Sequence, residues 1–414
     1  MTTLAARIVH PLLTRVRGGT LEVVDSDGVE TFGPGATIGD AEPIRARVTV
    51  HDSGLYERLV REGSIGLGTA YADGWWDADD LTAVLRLAHR SLTRTHPARD
   101  RLHRWARPFV DPIARRRPAD VQRDEENVRS HYDIGNELFT QLLDESMMYS
   151  CAIFDAPDTP LAAASRAKLD RLAASIELSA ADHVLEIGTG WGGFAIYAAS
   201  TFGCRVTTTT ISAEQYQFAT ARVHAAGLDH LVTVRADDYR TLEGTFDKIV
   251  AIEMIEAVDW RDYGTFFSAC ESLLAPDGII AMQAIVVPDA SFDRTKRRTD
   301  FIKAAIFPGG CLPSVGALTA AAAPHRLTLH HQAEFGLHYA ETLRRWRENL
   351  VGARDTIARH GFDDRFARLW DFYFSYCEAG FEERYISVVQ LTYAKPGWRP
   401  AALERSVAVP APVA

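Results

Sequence analysis

From residue 183 onward, short apolar runs alternate with stretches of helical period. HVLEIGT (183–189) is an apolar run closed by glycine, and GFAIYAAST, which follows the next glycines, reads as helix. RVTTTTIS (205–212) is strand-like through its β-branched residues, and AEQYQFATARVHAAG (213–227) is a helix with a glycine stop. LVTVRADD, FDKIVAIEM and GIIAMQAIVVP add three strands at the spacing of βαβ units. Two helices, over 339–360 and roughly 362–384, and a final strand over 385–395 complete the pattern. Strands alternating with helices predict a parallel, doubly wound sheet.

Upstream the pattern differs. Short β-like runs, LEVV (21–24) and RARVTV (45–50), precede a helical stretch over 54–62 and then GSIGLGTAYADGWWD (63–77). Residues 1–85 therefore read as a small α+β unit. Residues 86–122 change character again, and the first 32 of them carry ten arginines against two acids. One reading is a solvated linker helix. The other is a patch for anionic lipid headgroups, with roughly 1 kcal/mol contributed per basic residue near such a surface. Trp105 and Phe109, interleaved with the arginines, suit an interface. Residues 123–400 form the large α/β domain, and 401–414 read as a disordered tail.

Composition narrows the function classes. A net charge of −10 argues against a general nucleic-acid binder. No run approaches 18 uncharged apolar residues, so no span is expected. The N-terminus reads as mature protein rather than a cleaved signal. The five cysteines are scattered, with no spacing for a disulfide frame or a metal site, which suits a reducing cytoplasm.

The chemistry concentrates between the first strand and helix of the α/β region, at EIGTGWGG (186–193). Glycines there let the backbone turn sharply and approach a ligand, and the following helix offers free N–H groups. A dinucleotide would place its pyrophosphate at such a loop. S-adenosylmethionine would place its carboxylate there, with Glu186 near its cationic end. Gly188, Gly190 and Gly193 match the dinucleotide string, but that fingerprint needs an acid at the tip of the second strand. The tip reads TTTTIS, with none. An acidic pair, Asp237 and Asp238, closes the third strand instead, where Asp238 with neighbouring Tyr239 suits adenine. The pattern favours S-adenosylmethionine, with Thr210, Ser212 and Gln215 as the polar groups near the second tip. A late long helix followed by one terminal strand also fits a methyltransferase sheet.

HYDIGNELFTQLLDESMMYSCAIF (131–154), the glycine loop, TISAEQYQFA (210–219), DYRTLEGTFDKIVAIEMIEAV (238–258), FPGGCLPS (307–314) and HYAETLRRW (338–346) closely resemble the cyclopropane-fatty-acyl-phospholipid synthase family. These are mycolic acid cyclopropane synthase-like, S-adenosylmethionine-dependent methyltransferases. LVREGSIGLGTAYADGWWD (59–77) resembles the family's N-terminal lipid-docking domain, so the similarity spans about 54–398. The resemblance implies a class I Rossmann-like, seven-stranded methyltransferase fold carrying a small α+β lipid-docking domain. It also implies addition of a one-carbon unit to a double bond in a phospholipid acyl chain. The alkene attacks the sulfonium methyl, and bicarbonate then removes a proton from the added methyl to close the ring. A runner-up loses a different proton and gives a methyl- or methylene-branched chain.

The resemblance carries Cys151, Glu256, Ile285 and Tyr339 over to the bicarbonate pocket, with Gln283 at a family histidine position. Ala257 stands where another histidine is common. Tyr149 and Ser150 of the YSC motif join the cofactor residues. Partners implied are phospholipid acyl chains at the inner face of the membrane, reached peripherally from the cytoplasm, and a second copy in a homodimer. Alternatives stay open at several positions. Cys151 reads equally as a buried thiol, Tyr339 as a helix cap, and Glu253 as the competing acid on the same strand. Phe139, Phe154, Phe301 and Phe307 suit either core or acyl-tunnel walls.

Overall fold

The structure is a computed structural model and describes residues 4–33, 43–93 and 135–400. The greater part of the basic segment (94–122), the start of the HYDIG motif and the tail from 401 lie outside the described residues.

The N-terminal unit is a four-stranded sheet of order β2-β1-β3-β4, from β1 (Gly19–Asp25), β2 (Gly28–Phe32), β3 (Ile44–Val50) and β4 (Trp76–Ala78). Alternation in β1 and β3 sends Leu21, Val23, Ala46 and Val48 to one buried face. Helices Ser64–Ala72 and Leu81–Thr93 connect this sheet to the long helix Asp364–Glu382. Gly68 lets its helix press onto Phe301 and Phe372, which are fully buried and meet edge to face. Tyr71 donates to Asp371 at 2.8 Å, and Arg368 spans Tyr71 and Asp77. Arg86 and Arg90 of the basic stretch pair with Glu383 at 2.8 and 2.7 Å. These two arginines tie the units together, and one apolar cluster runs from Val23 and Trp76 through to Trp346 and Trp370.

The second sheet has seven strands: β5 (His183–Ile187), β6 (Arg205–Thr209), β7 (Val232–Arg235), β8 (Phe246–Ile252), β9 (Leu274–Val286), β10 (Thr328–Glu334) and β11 (Ser387–Ala394). Their order is β10-β11-β9-β8-β5-β6-β7. β5 to β9 pair in parallel, and only β11 runs against its neighbours. The central strands are buried on both faces, which explains their continuous apolar runs. β10 has no such run: TLHHQAE lies at the edge with most side chains exposed, so hydrophobic patterning does not reveal it. The helix expected over 339–360 divides at Ala353 into Gly336–Gly352 and Arg354–Arg359.

Candidate active site

The C-terminal ends of β5, β6 and β8 open into one cavity, the place where doubly wound sheets bind ligands. Its walls include Tyr149, Ser150, Glu186, Gly188, Gly190, Thr210, Gln215, Asp238, Tyr239 and Glu253. Gly188 and Gly190 have φ of 98° and 50°, and beside Gly190 nothing lies within 4 Å of where a Cβ would stand. The loop thus presents bare backbone to the cavity. Gly193 serves differently. A Cβ there would lie 2.5 Å from the Ser146 carbonyl and from Met148, so this glycine packs the helix Gly193–Phe202 against the segment leading to YSC.

Glu186 is buried at the end of β5 and accepts from the Thr208 hydroxyl at 2.6 Å. Burial pushes its carboxyl up to about 8, with the Thr208 hydrogen bond opposing. A carboxyl starved of positive charge in a ligand cavity fits the cationic end of S-adenosylmethionine. Thr210 donates to Gln215 at 2.8 Å, and Ser212 caps the helix Ala213–Ala225 through the Gln215 N–H. Asp238 lines the opposite wall and forms a salt bridge with Arg240 at 2.6 Å.

At the inner end, Glu253 sits where β8 turns out of the sheet, at φ 50°. Its Oε1 accepts from the Cys151 N–H at 2.9 Å and from the Gln283 amide at 2.7 Å, and its Oε2 accepts from the Tyr339 hydroxyl at 2.6 Å. Burial raises its carboxyl, while Tyr339, Gln283, the Lys168 charge and the Cys151 N–H oppose the rise. Glu256 lies beside it. Its Oε1 accepts from the Ile285 N–H at 2.5 Å, and its Oε2 is buried with no hydrogen-bond partner among the described residues. Burial, reinforced by Glu253, pushes Glu256 up to about 8. Burial raises both carboxyls, but for Glu253 three hydrogen-bond donors and the Lys168 charge oppose the rise, whereas for Glu256 only backbone N–H groups do and the neighbouring Glu253 adds to it. Cys151 contributes its backbone N–H, because burial raises its thiol well above the ordinary range.

The five residues expected around an anion (Cys151, Glu256, Gln283, Ile285 and Tyr339) do converge. Glu253, the competing acid, stands at their centre. Gln390 and Lys168 are participants the sequence reading did not name. Gln390 donates to the side-chain Oε1 of Gln283 at 3.1 Å, and Lys168 donates to the Ser150 hydroxyl at 2.5 Å. A signal for Lys168 existed: it falls on the buried stripe Ala164, Ser165, Lys168, Leu169, Leu172 of the helix Leu161–Ser175. Phe139 packs on Trp191 and Trp370 and Phe301 on Phe372, both fully buried; Phe154 stacks on His338, and Phe307 meets Tyr373.

A parallel sheet with one reversed strand, a glycine loop after β5 and acids at the tips of β5 and β7 define a class I S-adenosylmethionine-dependent methyltransferase. The sequence model of the mycolic acid cyclopropane synthetase family matches residues 119–391, and the chain belongs to that family. The chain is 40% identical over 405 residues to the tuberculostearic acid methyltransferase of Mycobacterium tuberculosis, covering 95% of this chain and 92% of the relative. It is 35% identical over 366 residues to the cyclopropane-fatty-acyl-phospholipid synthase of Escherichia coli, covering 87% and 90%. The solved mycolic acid cyclopropane synthase CmaA1, in complex with SAH and CTAB, superposes with a TM-score of 0.61 at 28% identity. That match covers 66% of this chain and 98% of the solved one.

The state of Glu186 has a measurable consequence. A cation in the cavity stabilises its charged form, so cofactor binding below pH 8 displaces a proton. Affinity for S-adenosylmethionine should therefore strengthen as pH rises from 6 toward 8. Titration calorimetry in buffers of different ionisation enthalpy checks this, with close to one proton released per site at pH 6.5.

Proposed function

We propose that this enzyme methylates a double bond in a phospholipid acyl chain and finishes without closing a ring. The observation that carries the reading is the carboxylate of Glu253, seated on the Cys151, Gln283 and Tyr339 donors that the resemblance assigns to bicarbonate. The remaining donor, the Ile285 N–H, is taken by Glu256. The Cys151, Gln283 and Tyr339 donors are thus already committed to a carboxylate of the protein itself, which stands where an exogenous base would otherwise be held.

When bound, S-adenosylmethionine supplies a methyl group on a sulfonium and leaves as the neutral thioether. The protein's share is to hold the alkene against that methyl, exclude water and take up a proton. Alkene attack leaves a cation on the acyl chain, which water would quench. The inner wall meets that need with apolar and aromatic groups, among them Met147, Trp191 and Ile252. The charged Glu253 carboxylate stabilises the cation and then accepts a proton from a carbon beside it. The electrons of that C–H bond form a new double bond, and the methyl group stays as a branch. Glu253 is fixed to the backbone, so its reach selects which proton is lost.

Ring closure is the second reading, favoured by the 35% identity to the Escherichia coli synthase. Substrate arrives in either case at a membrane surface, with the protein docked peripherally on its cytoplasmic side. Among the described residues no helix is long and apolar enough to cross a membrane. The two readings separate by mass spectrometry of lipids from cells expressing the protein, before and after hydrogenation with a mild catalyst. A methyl-branched or methylene chain is expected, gaining two hydrogens on reduction. A product of the same mass that takes up no hydrogen contains a ring and overturns the ring-free reading.

A further inference from the structure

Lys168 has no part in the chemistry described so far, yet it is entirely buried beneath the site. An isolated ammonium removed from water is costly unless a charge or several acceptors compensate it. Among the described residues its ammonium bonds only the Ser150 hydroxyl, at 2.5 Å, and no carboxylate pairs with it directly. The acids acting on it are Glu253 and, more weakly, Asp144, together with the Cys151 thiol.

Two short hydrogen-bonded routes connect Lys168 to Glu253. On one side the ammonium holds Ser150, and the peptide N–H that follows Ser150, that of Cys151, lies 2.9 Å from Glu253. On the other, Gln390 donates to the Lys168 backbone carbonyl at 3.2 Å and to the side-chain Oε1 of Gln283 at 3.1 Å. The second contact turns the Gln283 NH2 group toward Glu253, at 2.7 Å. Every member of this ring except Glu253 is buried, and of its members Glu253 and Ser150 line the cavity. Burial of this kind weakens screening, so a cation one residue layer away still acts on the carboxylate.

We infer that Lys168 is a positioning residue whose buried ammonium holds Glu253 in its charged, proton-accepting form. This inference rests on the assignment of Glu253 as the proton acceptor. Burial lowers Lys168 to about 8, so it still carries charge at neutral pH. Removing that charge leaves Glu253 with its three hydrogen-bond donors and no cation, and its proton affinity rises.

The test reads the protonation of Glu253 directly and needs no lipid. Infrared difference spectra between the protein and its Glu253→Gln variant, recorded across pH, isolate the band of the protonated carboxyl. In the Lys168→Met background the midpoint of that band should rise by about one pH unit or more, a tenfold change in proton affinity. Turnover at pH 7 should fall about tenfold and recover partly as pH is raised, with affinity for S-adenosylmethionine unchanged. Lys168→Arg keeps the charge and should keep the midpoint low. Should Lys168→Met not fold, Lys168→Gln removes the charge while keeping a donor for Ser150, and the same rise is expected. An unchanged midpoint in either neutral variant overturns the inference. Absence of acyl methylation by the unaltered enzyme overturns the functional reading instead, and leaves the infrared result to decide the role of Lys168.

Discussion

Glu253→Gln is expected to lower turnover on unsaturated phospholipid by on the order of 100-fold or more, with the dissociation constant for S-adenosylmethionine nearly unchanged. The amide keeps the shape of the side chain but neither balances a cation nor accepts a proton. The cofactor is held chiefly from the glycine loop, Glu186 and Asp238, on the far walls of the cavity. Glu256→Gln should cost much less, because Glu256 is already neutral at pH 7 and the amide oxygen still accepts from Ile285. Equal losses in the two variants would reassign the proton acceptor. The pH profile gives a further check. Turnover should climb as Glu253 loses its proton on the acid side. It should decline above about pH 8, where a second negative charge forms on Glu256 and Lys168 loses its positive one.

The second large effect concerns the join between the N-terminal unit and the catalytic domain. Gly68→Val should destabilise the protein by about 1–3 kcal/mol, the range for overpacking a tight core. A Cβ at Gly68 would lie 2.4 Å from the Phe301 ring and 2.8 Å from the Phe372 ring. Both rings are fully buried and braced against each other with centroids 4.8 Å apart, so neither can swing aside. Urea denaturation measures the loss. A variant with an unchanged midpoint would mean that this helix is not pressed onto the catalytic domain in solution.

The large sheet was legible because central parallel strands bury both faces and so write themselves as unbroken apolar runs. β10 was hidden because an edge strand with exposed side chains carries no such run. The cofactor wall was legible because glycines and acids at strand tips have few other uses. Exchange of the central acid was harder to foresee. Glu253 and Glu256 are three residues apart, and sequence spacing does not say which carboxylate enters the ring of donors. The turn of the chain after Ile252 decides it. Lys168 was missed for another reason: a lysine among leucines on a helix usually extends its ammonium to water, and here it does not.

That turn bears on how the enzyme responds to engineering. A left-handed φ on a residue with a side chain is a conformation that glycine adopts without strain, and holding it costs on the order of 1 kcal/mol. At position 253 backbone preference and chemistry therefore pull in opposite directions. Glycine at this position would relax the backbone, but it would leave the Cys151, Gln283 and Tyr339 donors without their acceptor and discard the proton acceptor in the same step. Thermostable variants of this enzyme are best sought with residue 253 held fixed.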